Sequence, residues 1–397
     1  MSTLVIDNIG RLLTNNPELG DGQLGERRDV ALVLDDSDGG AGVVAIEQPG
    51  AAADERLDAA GRCVIPGFVD SHTHLVFAGD RAEEFAARMA GAPYEAGGIG
   101  TTVAATRAAT SAELRASAAT RRRDALRAGV THVEVKSGYA LDVDGEARLC
   151  ELAAELTDDV TYLGAHLVPA EYEGRADAYV ELVCGQMLDA CRGRARWIDV
   201  FCERGAFGYE ESRAVLEAGR DAGLGLRVHA NQLGPGGGVR LAVEMGAASA
   251  DHCTYLSDED VDALAGSETV ATFLPLTDFS TRQPYPDARR VIDAGATVAL
   301  ATNTNPGSSY SSAMSLALAL AVRDMHMTID EALLAATLGG ARALRREDIG
   351  HLSPGARADA VLLDAPSPAH LVYRVGMPLV AATVLGGVVV EPTARPA

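Results

Sequence analysis

The sequence predicts an α/β fold, a (β/α)8 barrel of the TIM type carrying a small composite β-sandwich domain built from both termini. Three observations point there. Eight short apolar segments alternate with helical stretches through the middle of the chain. Both ends are β-rich and punctuated by Gly and Asp. Nearly every candidate strand of the middle region ends in a reactive side chain, and the C-terminal mouth of the strands is where such a barrel places its chemistry.

The N-terminal segments TLVID, ALVLD, GVVAIEQPG and CVIPGF read as short strands, as do GARADAVLLDAP and LVAATVLGGVVVEP near the other end. Residues 1–64 and 355–397 are therefore assigned to the composite sandwich, and 65–354 to the barrel. The expected barrel strands are GFVDSH (67–72), THVEVKS (131–137), TYLGAHL (161–167), WIDVFCE (197–203), LRVHA (226–230), SADHC (249–253), VATFLP (270–275) and TVALATN (297–303). Between them, stretches such as SAELRASAATRRRDALRAG and YEESRAVLEAGRDAG carry apolar residues at helical spacing. GPGGG at 234–238 reads as a flexible loop.

With 397 residues, 47% of them hydrophobic, the chain has material for a large core. No apolar run is long enough to cross a bilayer, and the opening MSTLVIDNIGRLL lacks the basic start and long apolar stretch of a secretory signal. Six cysteines are scattered without a C-x-x-C pair, so a reduced, cytoplasmic protein is expected. A net charge of −22, with the acids dispersed, argues against nucleic acid or an anionic membrane as partner and reads as a solvated surface. Among 34 Lys+Arg there is a single lysine, Lys136. Where arginine serves elsewhere, a lone amine hints at a position that needs one.

His72 and His74 in DSHTHLVF are two apart on a strand and so project to the same face. Two such imidazoles can share a divalent cation, and His229 in RVHANQL and His252 in SADHCTY are further strand-end candidates. His72, His74 and His229 would bind a metal, leaving His252 to orient water or stabilise an oxyanion. Lys136, His166, Glu203 and Asn303 also end strands, whereas His326, His351 and His370, together with His132 at the start of its strand, read as surface or structural.

The segments PGFVDSHTHLVFAGDRAEEF, EVKSGYALD, TYLGAHLVP, VHANQL, ADHCTYLSDEDV and NPGSS resemble the imidazolonepropionase family of the amidohydrolase superfamily, over roughly residues 60–390. The resemblance implies hydrolysis of the cyclic amide of 4-imidazolone-5-propanoate to N-formimidoyl-L-glutamate, one zinc or iron ion per chain, and a homodimer. It places His72, His74, His229 and the residue at 303 on metal-ligand positions and His252 on the catalytic histidine. Arg81 falls on the arginine that holds the propionate, a task suited to a bidentate guanidinium. Tyr139 and His166 fall on ring-contacting positions, and Asn305, Gly307 and Ser308 on a loop that holds the product. That loop is expected to open a helix whose free N–H groups suit an anion. Gln232 stands where some relatives have a glutamate and reads as a hydrogen-bonding group.

Asn303 departs from the family pattern, which has aspartate in A-T-D-x-N-P-G where this chain reads ATNTNPG. An amide is an uncharged ligand and no base near neutral pH. Three readings stay open at this level: a substitution that traps substrate, divergence to another cyclic amide or imine, or use of another base such as His252. A catalytically silent binding protein with an intact pocket is the rival from outside the enzymes.

Overall fold

The computed structural model describes residues 2–35, 42–91 and 98–392. Residues 1, 36–41 and 393–397 of the expected β-rich ends lie outside them. The chain divides into two compact units, one of residues 1–70, 123–132 and 313–397, the other of 71–122 and 133–312. The fold class is the (β/α)8 barrel with additional sheets.

In the first unit, the described strands form two larger sheets. One orders Gly42–Glu47, Val30–Asp35, Thr3–Ile9 and Glu55–Asp58. The other orders Val388–Pro392, Val380–Leu385, Ala360–Leu363, Cys63–Pro66, Arg11–Leu13 and Glu26–Arg27, so strands from both termini share it. Alternate side chains of these strands turn inward, as the period of a half-buried strand requires. Leu4, Ile6, Leu32, Leu34, Val64, Leu362 and Val384 make one apolar cluster. Strands 11–13, 26–27 and 55–58 escape sequence reading because each is short, and the last two are mostly polar. Phe68–Asp70 pairs separately with Val130–Val133.

The second unit is a seven-stranded sheet, parallel throughout, in the order Val135–Lys136, Val160–Ala165, Trp197–Cys202, Gly225–Ala230, Ser249–His252, Val270–Phe273 and Val298–Leu300. The segment 71–74 closes it. The Lys136 N–H donates to the Thr73 carbonyl at 2.9 Å on one side, while His74 N donates to Thr304 O and Asn303 N to His72 O, each at 3.0 Å, on the other. Helices Ser111–Arg127 and Tyr209–Asp221 lie where the periodicity places them.

Two expectations about loops are corrected. GPGGG is only partly a loop, because Gly238 begins the helix Gly238–Met245. A Cβ there would stand 2.9 Å from the Ala230 Cβ, so only glycine lets this helix approach the end of the strand bearing His229. NPGSS does not open a helix, since the next one begins at Met314. The Asn305 side chain closes a turn instead, accepting from the N–H groups of Gly307 and Ser308 at 2.8 Å each.

Candidate metal and active site

Strand geometry brings the reactive residues of the second unit to one end of the parallel sheet. His74, Arg81, Tyr139, His166, His229, Gln232, His252, Asn303, Asn305 and Ser308, with Ile99 and Phe201, line one pocket. Ligand atoms of His72, His229 and His252 all lie within 4.8 Å of one another. The His74 ring centroid is 5.3 Å from that of His72 and 5.6 Å from that of His229. Asn303 and His252 both adopt positive φ, 54° and 80°, conformations that cost energy in non-glycine residues and here set where the side chains aim.

Four of these imidazoles, His72, His74, His166 and His252, are held neutral. Burial pushes His72, His74 and His252 well below the usual histidine range, and neighbouring Lys136 and histidines add to it. His166 is pushed down to about 3, by burial first and His229 second. Its Nδ1 lies 2.9 Å from the Gly138 carbonyl. Gly138 N in turn donates to the Glu146 carboxylate at 2.8 Å, as do Ala140 N and Leu141 N. One buried carboxylate thus fixes the loop that carries Tyr139 and supports His166.

The donor set fits a cation. His72 Nδ1 is bound to Asp251 Oδ2 at 2.7 Å, which directs the opposite ring nitrogen, Nε2, away from the carboxylate; that atom is buried without a hydrogen-bonding partner among the described residues. His74 Nδ1, His252 Nδ1 and Asn303 Oδ1 are buried and unpartnered in the same sense. His229 Nδ1 lies 3.0 Å from Asp199 Oδ2. Three such atoms in one pocket, with that of His72 close behind them, would be costly unless something binds them.

Arg81 is in place, but Nε and Nη2 are engaged by Glu84 at 2.7 Å each. Its Nη1 lies against Gly307, where any Cβ would collide with the guanidinium. Asn303 Nδ2 donates to Thr277 Oγ1 at 2.8 Å and Ser308 Oγ at 3.3 Å, so the amide is well seated. Glu203 is spent on backbone, accepting from Arg204 N and Leu233 N at 2.9 Å each, which steadies the turn carrying Gln232. His132 is buried beside Arg357 and is not a surface residue. His326 is exposed, and His351 and His370 make local contacts with backbone carbonyls.

Sequence reading missed a charged group within the sheet. Glu134, Lys136, Asp199, Arg227 and Asp251 are all fully buried. Lys136 Nζ is 2.8 Å from Glu134 Oε1 and from Asp199 Oδ2, and 3.7 Å from Asp251 Oδ2. Arg227 Nη2 is 3.1 Å from Asp251 Oδ2 and donates to Ser71 O at 2.7 Å. The available signal was a charged residue inside an otherwise apolar buried strand, as in WIDVF and LRVHA.

A parallel sheet closed by a histidine segment, with neutral imidazoles at its C-terminal end, defines a barrel hydrolase of the metal-binding kind. The amidohydrolase family model matches residues 63–390, and the chain belongs to that family. Imidazolonepropionase of Mycolicibacterium smegmatis is 61% identical over 99% of each chain. That of Salinispora arenicola is 61% identical over 100% of each, and that of Streptomyces coelicolor 60% identical over 96% of this chain and 97% of the relative. These relatives place the chain in the imidazolonepropionase branch of the family. Among solved structures, 5-methylcytosine deaminase from Klebsiella pneumoniae superposes with a TM-score of 0.72 at 19% identity, over 100% of this chain and 99% of that one. Atrazine chlorohydrolase from Arthrobacter aurescens complexed with zinc gives 0.71 at 20% identity, over 99% and 97%. At that identity the likeness is one of fold.

Proposed function

We propose that the chain hydrolyses the cyclic amide of 4-imidazolone-5-propanoate to N-formimidoyl-L-glutamate. One water is consumed; the ring C–N bond breaks, hydroxyl goes to the carbonyl carbon and the proton to nitrogen. The observation that carries the reading is the convergence of neutral imidazoles with open ring nitrogens on one pocket, in a chain 61% identical end to end to imidazolonepropionases. His72, His74 and His229, with Asn303 Oδ1, would hold one zinc or iron ion per chain. Such an ion, when bound, acidifies water and polarises the carbonyl under attack.

The residues divide the remaining work. Arg81 holds the propionate, exchanging Glu84 for the substrate carboxylate at the bidentate face of its guanidinium. Tyr139 and His166 flank the ring, and the loop of Asn305, Gly307 and Ser308 holds the product. Gln232 serves as a hydrogen-bonding group. Neutral His252 keeps a ring nitrogen open and accepts the proton, a task that the Asn303 amide has no basicity for. A cytoplasmic homodimer belongs to the same reading, with chemistry confined to residues 65–354 and none in 1–64 or 355–397. Among the described residues no helix is long and apolar enough to cross a membrane.

The test is turnover of imidazolone propionate by the chain as it stands and by Asn303→Asp, with metal content matched. The expected result is slow turnover by the former and a kcat raised about 10²–10⁴-fold in the latter, with a smaller change in KM. Equal rates would assign proton transfer wholly to His252. No turnover by either metal-loaded protein overturns the substrate.

A further inference from the structure

Lys136 is the one lysine in the chain, and it is fully buried. A buried ammonium is expensive unless several anions surround it. Here its Nζ sits 2.8 Å from both Glu134 Oε1 and Asp199 Oδ2. Asp199 Oδ2 is also the atom that stands 3.0 Å from His229 Nδ1, and Asp199 Oδ1 accepts from His229 N at 3.2 Å. The same pattern repeats further along the sheet, where Arg227 contacts Asp251 Oδ2 and that oxygen binds His72 Nδ1. Two chains of contact run side by side, each from a buried cation through a carboxylate to an imidazole. The cations differ because the geometry differs. Arg227 reaches both the Ser71 carbonyl and Asp251 with Nη2 while its Nε lies 3.9 Å from Glu134, a span that needs the longer guanidinium, whereas the point between Glu134 and Asp199 takes a compact ammonium.

We infer that Lys136 is a positioning residue for metal binding, fixing the Asp199 carboxylate that orients His229, as Arg227 fixes Asp251 behind His72. This rests on the reading of His72 and His229 as metal ligands. It explains why an otherwise lysine-free chain keeps an amine at this one position. Lys136 itself touches neither substrate nor metal; removing it leaves Asp199 buried without the partner that holds its rotamer, and the imidazole loses its fixed orientation.

The experiment measures the affinity of the apoprotein for Zn²⁺ by competition with a chromophoric chelator, and records the visible spectrum after Co²⁺ loading. Lys136→Met should weaken Zn²⁺ binding about 10–100-fold and alter the Co²⁺ bands. Asp199→Asn should do the same, and the double variant should be no weaker than the worse single, because both changes break one chain of contacts. A folded Lys136→Met with unchanged affinity overturns the proposal, as does a double variant whose losses multiply. If Lys136→Met does not fold, Lys136→Arg is read instead. It keeps the charge but not the shape, so a several-fold loss is expected and unchanged affinity overturns the role. His229→Ala runs alongside. If it retains zinc, the ligand assignment itself fails; if it loses zinc while Lys136→Met does not, only the positioning role falls.

Discussion

Among the terminal strands, Leu4, Ile6, Leu32, Leu34, Val64, Leu362 and Val384 are buried together and none is polar. Among the parallel strands, Glu134, Lys136, Asp199, Arg227 and Asp251 are buried as deeply, and all are charged. The first interior is held by apolar surface withdrawn from water, a non-directional force that tolerates exchange of one hydrophobic side chain for another of like volume. The second is directional. Each ion needs its partner at a set distance, and as a group they gain little stability over apolar packing. Such an arrangement makes sense where the carboxylates must also aim imidazoles. One interior secures the fold; the other keeps the site in register.

The largest expected effects test the site itself. His72→Ala or His74→Ala should empty the metal and reduce turnover to background, while His252→Ala should retain metal and still lose turnover. Elemental analysis with kinetics separates the two. Full occupancy in His74→Ala, coupled with loss in His252→Ala, would exchange their roles.

The next compares the interiors directly. Arg227→Met, which strands Asp251, should cost about 3–5 kcal/mol in chemical unfolding and weaken metal binding as well. Leu32→Ala should cost about 2–5 kcal/mol through its cavity and leave metal affinity unchanged. The contrast collapses if both variants change metal affinity alike. Smaller again, Arg81→Ala should weaken binding of the propionate by about 1.5–3 kcal/mol, and lysine should recover only part of that. Equal affinity of Arg81→Ala for the propionate and its decarboxylated analogue would remove the role.

The smallest effect lies away from the site. The Arg346 guanidinium, bound to Asp348 through two 2.7 Å contacts, pulls that carboxyl from 3.8 down to about 2. A depressed carboxyl adds stability above its unfolded value, and that stability is lost as pH falls through the folded one. Asp348 is largely exposed, so Asp348→Asn should cost less than about 1 kcal/mol near neutral pH and nothing below about pH 2. Urea titrations at several pH values would show it; a constant difference down to pH 2 would refute the pairing.

Much of the site was legible because its residues sit at strand ends, where an apolar run stops and a reactive side chain follows. His72, His74, His229 and His252 were found this way, and the pocket brings the last three together. The role of Asn305 was not legible, because a side chain that closes its own turn looks the same in sequence as one that precedes a helix. Nor was the engagement of Arg81 by Glu84, since both residues also suit an exposed helix start.

By itself, the sequence determined the alternation of strand and helix, the strand ends that carry imidazoles, the amide at 303 and the solitary lysine. These are local properties, written in periodicity and residue type. Only the tertiary structure decided which carboxylate stands behind which histidine and what the lysine touches. Asp199 and His229 are thirty positions apart, and Asp251 and His72 are 179 apart. Partners so separated meet through the register of neighbouring parallel strands and the closure of the sheet, which no local pattern encodes, and a charge within a buried strand reveals its purpose only when the strand beside it is in place.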